Sequence, residues 1–575
     1  MCVKFCIIFK FFQLMSRLRC IRYKFTENIL VKELDLGYKG ITMLDDSIGR
    51  YSDLEILILS GNELSSLPDE MRKLTKLKKL KLDNNKLESL PDWIGSLKSL
   101  KILDLNGNII ELLPSTICNL KNLDSLYVQA NRLTALPDEI GNLECLVELC
   151  LCENKLTLLP ASIGRLSRLE KLLLTKNRLS ALPNELAELK KLKILELFGN
   201  LLRELPDSIG LLEKLECLNA GKNQLKRLPD SLSKLTALKT LEISENCIAL
   251  LPKEMKDLKL LENLRLSSNW FDKFPEEALE VPSLKTLLLS GNRLRRVPDE
   301  ITNLTGLSRL ELNDNQLEVL PETIGKLANL KIFLLQKKRL KELPESVGNM
   351  KSLLQLILNN NLLSAVAPKI GELKYLFKLD LKNNRFKELP ESICNMLSLK
   401  ELVLSNNQLA RLPNGIGSLT YLTKLHLAFN QLIWLPNSIK KLKYLTELSL
   451  NDNYLVNLPS KIGKLKSLKE LDLSNNNLTL LPNSMGKLIS LNRLNLSNNE
   501  LKTLPKTLRK LKLITWLKIE RNEFKELPHV LQPLHKVLRN LYVSRMPAEN
   551  EKEQSDSDLK DLRKLYGNRL FIVPH

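Results

Sequence analysis

The side chains best suited to acid–base or metal chemistry in this 575-residue chain are few, beginning with only four histidines. They are His426, His529, His535 and His575. Three of them crowd the C-terminus without the spacing that metal ligands show. The histidines therefore predict no metal site.

Two of the ten cysteines, Cys150 and Cys152, lie two residues apart on one predicted strand. That spacing places both thiols on one face of the strand. A metal or redox pair is one interpretation, but no second ligand pair and no nearby histidine accompanies them. The chain also lacks the GxxxxGK[ST] phosphate loop and the kinase signature set. We predict no catalytic residue, no metal and no cofactor, and a protein that is not an enzyme.

A second group of residues suits recognition rather than catalysis. Large aromatic or cation-forming side chains occupy predicted outward strand positions: Tyr127, Phe198, Arg265, Arg309, His426 and Trp516. Aromatic residues and arginine are enriched at the energetic centres of protein interfaces. Acidic side chains on the same face would steer a basic partner region: Glu242, Glu311, Asp380, Glu447 and Asp472. The alternative is that isolated aromatics on a strand face pack only on their neighbours.

The elements that position these residues are repeats of one 23-residue frame, LxxLxLxxNxLxxLPxxIGxLxx. The frame begins at Val31 and recurs twenty-two times, ending near Lys536, without a shift of register. The composition agrees, because the chain is 43% hydrophobic but only 5% aromatic, so its apolar mass is aliphatic. Such an array grows along one axis, since each unit packs on its neighbours.

The asparagine of the frame predicts a structural ladder through the array. It is present at Asn62, Asn85, Asn108, Asn131, Asn154, Asn177, Asn200, Asn223, Asn246, Asn269, Asn292 and Asn315, and again at Asn361, Asn384, Asn407, Asn430, Asn453, Asn476, Asn499 and Asn522. Lysine replaces it at Lys39 and Lys338. An amide can donate to and accept from backbone groups that no strand satisfies.

Alternating leucines in LxLxx place their side chains on one face of a short strand. One strand per repeat gives a parallel sheet, and the rest of each repeat supplies the crossover that parallel pairing needs. Proline fixes φ as the chain leaves the strand. The fold class predicted is α/β, a curved solenoid with a concave parallel β-sheet and short helical or irregular convex segments.

The array must be capped, because its end repeats would otherwise expose their cores. We predict an N-terminal cap or leader over 1–30, the array over 31–536, and a C-terminal cap with a short helix over 537–575. Lys338 and Ala367-Pro368, which moves the frame proline by one residue, mark one irregular place. It is interpreted either as a hinge or docking step or, more simply, as drift in one repeat.

The net charge of +21 allows acidic protein, nucleic-acid or membrane partners, or only a solvated surface. The lysines are scattered, and no basic block with interleaved aromatics predicts binding of single strands. No apolar stretch reaches the roughly 18 residues of a membrane span. Secreted arrays usually end in clustered disulfides, and no cysteine follows Cys394, so we expect a cytoplasmic protein.

The frame LxxLxLxxNxLxxLPxxIGxL resembles that of the cytoplasmic leucine-rich-repeat proteins of the Ras-scaffold type. These include the Shoc-two/Sur-eight scaffolds and the plant intracellular Ras-group proteins, and the Scribble and Erbin group is similar. The resemblance covers about 31–536. It implies a scaffold whose concave face holds a Ras-type small GTPase and a protein phosphatase catalytic subunit. It also draws attention to Val3-Lys4-Phe5, the minimal form of a phosphatase-docking motif.

We therefore expect a protein-binding scaffold or adaptor in intracellular signal transduction. One alternative is a microbial effector or surface protein that binds a host protein, which cleavage of a signal sequence would distinguish. The other is electrostatic binding of nucleic acid through the basic exterior, which a salt titration would test.

Overall fold

The computed structural model describes residues 22–23, 31–337, 339–526, 528–544 and 560–573. They form two compact units: unit 1 extends to Phe271 and includes Pro275–Leu284, and unit 2 comprises Asp272–Phe274 and the residues from Lys285 onward. Lys338, the Val3-Lys4-Phe5 triplet and the predicted leader, apart from the backbone of Arg22–Tyr23, lie outside the described residues.

Each repeat of unit 1 contributes one short strand whose central residue is almost always a fully buried leucine. The strands are β1 Arg22–Tyr23, β2 Glu33–Asp35, β3 Met43–Leu44, β4 Ile56–Ile58, β5 Lys79–Lys81, β6 Ile102–Asp104, β7 Ser125–Tyr127, β8 Glu148–Cys150, β9 Lys171–Leu173, β10 Ile194–Glu196, β11 Cys217–Asn219, β12 Thr240–Glu242 and β13 Asn263–Arg265.

Unit 2 continues the same pattern. Its strands are β14 Thr286–Leu288, β15 Arg309–Glu311, β16 Ile332–Leu334, β17 Gln355–Ile357, β18 Lys378–Asp380, β19 Glu401–Val403, β20 Lys424–His426, β21 Glu447–Ser449, β22 Glu470–Asp472, β23 Arg493–Asn495, β24 Trp516–Lys518, β25 Asn540–Ser544 and β26 Leu570–Val573.

β1 and β3 pair with each other in a separate two-stranded sheet. Within each unit the other strands up to β24 pair in parallel with the strand of the next repeat, and the partners are 23 residues apart. In unit 1, Leu195 lies opposite Leu218, and in unit 2, Leu425 lies opposite Leu448. The constant register follows from the constant repeat length, which keeps the central leucine of each strand opposite that of the next. The parallel-sheet solenoid predicted from the frame is confirmed.

The return segments are 3-10 turns rather than α-helices, and most of them begin directly after the frame proline. Pro91 has φ −71° and ψ 151°, and its carbonyl accepts a hydrogen bond from Ile94 N at 3.0 Å. Five residues are too few for stable α-helical propagation, so the tighter turn forms instead. Ala367 adopts the same geometry, and its carbonyl accepts from Ile370 N at 3.0 Å. The displaced proline there leaves the turn intact.

The 3-10 turns of unit 1 are Asp46–Arg50, Asp69–Lys73, Asp92–Ser96, Ser115–Asn119, Ile140–Asn142, Ala161–Arg165, Asn184–Glu188, Asp207–Leu211, Asp230–Lys234, Met255–Asp257 and Glu276–Glu280. Those of unit 2 are Asp299–Asn303, Glu322–Lys326, Glu345–Asn349, Pro368–Glu372, Glu391–Asn395, Asn414–Ser418, Asn437–Lys441, Ile462–Lys464, Asn483–Lys487, Lys506–Lys510 and Gly567–Arg569.

The residue that precedes the ladder position is left-handed in every repeat from Tyr38 to Arg521, with φ between 51° and 70°. This turn directs the backbone N–H toward the next repeat, as when Lys176 N donates to Phe198 O at 2.7 Å. Glycine and asparagine tolerate the conformation best, and they occupy many of these positions. Phe429 adopts it as well, with φ 55°.

The sheet continues beyond Lys536, into the region predicted as a C-terminal cap. Helix α1 spans Leu531–Leu534, α2 spans 560–566, and β26 pairs with β25. Tyr566 is buried, and its hydroxyl donates to Leu531 O at 2.6 Å. The register step into β25 is 24 residues, because Trp516 lies opposite Asn540. The proposed boundaries of leader, array and cap stay a prediction.

Candidate functional site

The side chains available to a partner lie on the outer face of the strands, before and after the buried central residue. In β7, for example, Ser125 and Tyr127 flank Leu126, which is fully buried. Because side chains alternate along a strand and the register is constant, these residues form two rows within each unit. Neighbours in a row are separated by the strand spacing of about 4.8 Å.

The asparagine ladder fixes the turn behind each strand. The Asn200 amide donates to Leu174 O at 3.0 Å and to Leu197 O at 2.9 Å, and its oxygen accepts from Leu179 N at 3.0 Å. Leu174 O also accepts from Asn177, so each carbonyl joins two successive asparagines. The same pattern recurs at Asn62, Asn85, Asn108, Asn131, Asn154, Asn177 and Asn223. The hydrogen-bonding groups of these amides are occupied by the backbone of their own and neighbouring repeats, so these asparagines have a structural role.

Tyr127 on β7 is held in place by the neighbouring strand. Its hydroxyl donates to Glu148 Oε2 at 3.0 Å. Burial raises the pKa of Tyr127, and burial also raises the pKa of Asp104, which lies opposite Tyr127 on β6. The phenol therefore stays a neutral hydrogen-bond donor with a fixed ring.

The position of Phe198 differs in part from the prediction that it lies on a strand. It lies two residues beyond the end of β10, not on the strand, and is half-buried over Gly221.

Arg265 is on β13 as predicted, and its guanidinium lies 3.7 Å from the Glu242 carboxylate. That carboxylate is therefore partnered within unit 1 rather than left to attract a basic partner.

Arg309 and His426 lie on the outer face of unit 2, but each meets an acid of its own sheet. Arg309 Nε donates to Glu311 Oε1 at 2.6 Å on the same strand. His426 Nε2 lies 4.0 Å from Glu447, and burial lowers the pKa of His426 despite that carboxylate. Glu447 is also paired with Lys424 at 2.7 Å. Because these carboxylates are paired within the sheet, they attract a basic partner region less than the sequence predicts.

Trp516 belongs to the one aromatic cluster that the described outer face of unit 2 presents. Its ring is 5.7 Å from that of Tyr542, which stacks on Phe571 at 4.6 Å with planes 13° apart. Arg493 lies 4.8 Å above the Trp516 ring, and Lys518 lies 5.2 Å from that ring and 4.8 Å from Tyr542. Three aromatic rings and two cations thus cross the adjacent strands β23 to β26. We call these five residues the aromatic platform.

The six predicted contact residues do not form one site. Tyr127 and Phe198 belong to repeats three strands apart in unit 1, roughly 14 Å at the usual strand spacing. In unit 2, Arg309, His426 and Trp516 lie on β15, β20 and β24, with four or five strand steps between successive members. Of the six, Trp516 is the one that packs against another aromatic ring among the described residues.

Four of the five residues of the aromatic platform are absent from the set predicted from the sequence: Arg493, Lys518, Tyr542 and Phe571. Arg493 and Lys518 stand at outward positions of the repeat frame, so the register alone would have found them. The frame does not predict the outward position of Tyr542, because one extra residue before β25 shifts it out of the 23-residue register. Phe571 lies beyond the repeats, and only the pairing of β26 with β25 places it beside Tyr542.

The thiols of Cys150 and Cys152 lie 3.9 Å apart. A hydrogen bond from the Cys150 thiol lowers the pKa of Cys152 to about 7, while that bond and burial raise the pKa of Cys150. Within the described ranges no group of three or more histidine, cysteine, aspartate or glutamate side chains is arranged to hold a metal ion. The pair therefore lacks further ligands in this part of the chain.

No helix in the described residues is both long and apolar enough to cross a membrane. The described cysteines are all free thiols: Cys118, Cys145, Cys150, Cys152, Cys217, Cys247 and Cys394.

Comparison with protein families gives matches to leucine-rich-repeat models along much of the chain. A model described as a leucine-rich repeat region matches 69–158, 152–245 and 356–449. Two further leucine-rich-repeat models match 29–87 and 443–501, and 283–304. Comparison with curated proteins gives no match.

Solved structures of leucine-rich-repeat proteins are similar to the chain. A Leptospira interrogans LRR protein is 36% identical, over 67% of this chain and 94% of that one, with a TM-score of 0.59. A TDR receptor is 30% identical over 88% and 91%, with a TM-score of 0.65. The Arabidopsis receptor kinase HAESA, in complex with a peptide hormone and a co-receptor, is 27% identical over 95% and 91%, with a TM-score of 0.61.

Proposed function

This chain belongs to the leucine-rich-repeat family, and from that premise we propose that it binds a protein or peptide partner across the outer face of its strands. The observation that carries the proposal is the aromatic platform of unit 2. The HAESA structure, with its peptide hormone bound, supports a polypeptide as the class of partner.

The platform has the composition of an interface centre. Truncation of tryptophan, tyrosine or arginine to alanine typically causes the largest losses of binding free energy at protein interfaces, because these side chains combine apolar area with polar contacts. Here Trp516, Lys518 and Tyr542 are half-buried, so the two rings and the lysine side chain pack on their neighbours but still reach solvent. Their fixed positions lower the entropy that a partner would lose on binding.

The charge on the platform indicates what the partner segment offers. Arg493 and Lys518 lie over aromatic rings, and no carboxylate among the described residues lies within 4.0 Å of Arg493. Lys518 is 4.0 Å from Glu520 at the strand end. A partner segment with an acidic group beside an apolar or aromatic side chain could pair with these cations and pack on the rings.

The test is selection of binding peptides from a random library, followed by affinity measurement with Trp516→Ala/Tyr542→Ala. Tyr421→Ala/Tyr444→Ala is the matched control, since those rings stack at 6.1 Å in the same unit but lie in the turns that precede their strands. We expect the platform variant to weaken binding by about 2–4 kcal/mol, as hot-spot truncations do. Equal binding by both variants would contradict the platform as the site.

A narrower form of the proposal is a cytoplasmic scaffold for a Ras-type small GTPase and a protein phosphatase catalytic subunit. It is supported by the resemblance of the repeat frame and by the free thiols among the described cysteines. Binding of the whole chain to a Ras-type protein loaded with a GTP analogue, but not with GDP, is the expected result. Equal binding of both nucleotide forms, or of neither, would oppose this form alone.

A second candidate is an exported protein that binds a peptide or a host protein. It is favoured by the similarity to a receptor structure with a bound peptide hormone. Mass spectrometry of the N-terminus after expression in a secreting cell distinguishes the two. Removal of the apolar leader would favour export, and an intact leader would favour the cytoplasmic scaffold.

A further inference from the structure

A hollow of about 690 Å³ opens at the edge of unit 2 where the strands from β22 to β26 begin. Five cationic side chains line it: Lys469, Lys512, Lys536, Arg539 and Arg569. We call it the basic hollow. It is separate from the aromatic platform, because its residues lie at the starts of the strands and not at their outward positions.

The positive charge of the basic hollow is not balanced by any carboxylate in its lining, as far as the described residues extend. Among the described residues no carboxylate lines it, and none lies within 4.0 Å of its five cations. In unit 1, lysines at the frame position of Lys469 pair with glutamates one repeat away: Lys78 with Glu55, Lys193 with Glu170, and Lys239 with Glu216. The repeats beside Lys469 carry Thr446 and Asn492 there instead.

Part of the hollow is fixed before any ligand arrives. The Arg569 guanidinium donates to His535 O at 3.1 Å and to Leu538 O at 2.9 Å, which anchors the cation in the wall. Two uncharged polar residues of the lining, Thr515 and Asn492, are also held in place, because Thr515 Oγ1 donates to Asn492 Oδ1 at 3.1 Å. Lys469 and Lys512 are exposed and can move to meet a ligand.

We propose that the basic hollow binds a compact ligand that carries two or more phosphate groups. Lysine and arginine donate charge-assisted hydrogen bonds to phosphate oxygens, and these bonds are stronger than those between neutral groups. The volume suits a small molecule or a headgroup, since such sites measure about 300–1,000 Å³. A nucleic-acid strand would instead need a basic groove extended along the surface.

The experiment is calorimetric titration of the full chain with sodium tripolyphosphate at low ionic strength. We expect one site, and an affinity at least about tenfold weaker in Lys469→Glu/Lys512→Glu, because two attractions become repulsions at short range. Both lysines are exposed, so the variant is expected to fold, which its melting temperature and circular dichroism check. Lys469→Gln/Lys512→Gln should give an intermediate loss.

The matched control is Lys400→Glu/Lys443→Glu. These lysines occupy the same two frame positions three repeats earlier, and both are exposed. The control changes net charge equally, so it should keep the affinity of the unaltered chain. Absence of binding to the unaltered chain, or an equal loss in both charge-reversal variants, would overturn the proposal.

The same phosphate chemistry occurs in a free ligand and in a lipid headgroup. Sedimentation with phosphatidylcholine vesicles that contain phosphatidylinositol bisphosphate separates the two. Vesicle binding that tripolyphosphate displaces supports a headgroup, and calorimetric binding without vesicle binding supports a free ligand. Vesicle binding that persists in Lys469→Glu/Lys512→Glu would refute the basic hollow as the lipid site.

Discussion

Replacing Asn200 by alanine tests the reasoning about the ladder. Three hydrogen bonds are lost, but their consequences differ. Leu174 O and Leu197 O each keep a bond from the neighbouring asparagine, Asn177 or Asn223. Leu179 N is buried and loses its partner in the ladder.

The magnitude follows from that difference. A buried donor without a partner costs about 1–3 kcal/mol, and each of the two lost bonds contributes about 0.5–1.5 kcal/mol. We therefore expect Asn200→Ala to reduce the stability of its surroundings by about 2–6 kcal/mol. Because a repeat array unfolds in parts, the loss should appear first as faster hydrogen exchange in the repeats beside Asn200.

The assay is hydrogen exchange with mass spectrometry, supported by urea unfolding. The control is Asn122→Ala, because Asn122 is exposed and donates a single bond, to Lys98 O at 2.9 Å. We expect the control to lose less than about 1 kcal/mol. If Asn200→Ala accelerates exchange no more than Asn122→Ala does, the ladder does not hold the repeats together.

Three further predictions concern single residues. Phe429→Gly should raise stability by about 0.5–1 kcal/mol in urea unfolding, because relief of the left-handed strain exceeds glycine's entropy cost; a loss would contradict the strain argument. Burial lowers the pKa of His426 below 6.5, so the unfolded chain binds its proton first and stability should fall as pH drops through 6.5 toward the lower folded pKa. His426→Gln should show a shallower decline over that window, and an unchanged decline would be evidence against the burial effect. Cys152, with a pKa of about 7, should alkylate at pH 7.5 before Cys150, and the reverse order by peptide mass spectrometry would contradict the hydrogen-bond direction between the thiols.

The fold was predictable because the physical causes of the sheet lie within each 23-residue frame. Alternating leucines, the asparagine and the proline each act on backbone groups of their own or an adjacent repeat. The left-handed residue before the asparagine was within reach as well, since Gly107, Gly199 and Asn383 mark its position. Its regularity was missed because residues such as Lys176 hide the pattern.

The candidate site was less predictable, because its members come together through pairing that the frame does not encode. The contact between Tyr542 and Phe571 depends on β26, which follows α2 rather than another repeat. Side-chain partners on the outer face also depend on neighbours. Arg309 meets Glu311 on its own strand, whereas Arg265 meets Glu242 on the preceding one, and both belong to the predicted set.

The constant register within each unit has a genetic consequence. Loss or duplication of a coding segment for any whole number of 23-residue frames rejoins strand to strand and asparagine to asparagine, so the core is restored wherever the exchange occurs. A change of any other length would misalign the strand register and the asparagine bonds at the junction where it occurs. Unequal recombination can therefore lengthen or shorten this gene while it reshuffles the outward residues. Natural variants should differ in length by multiples of 69 nucleotides, which is three for each of the 23 residues in the frame.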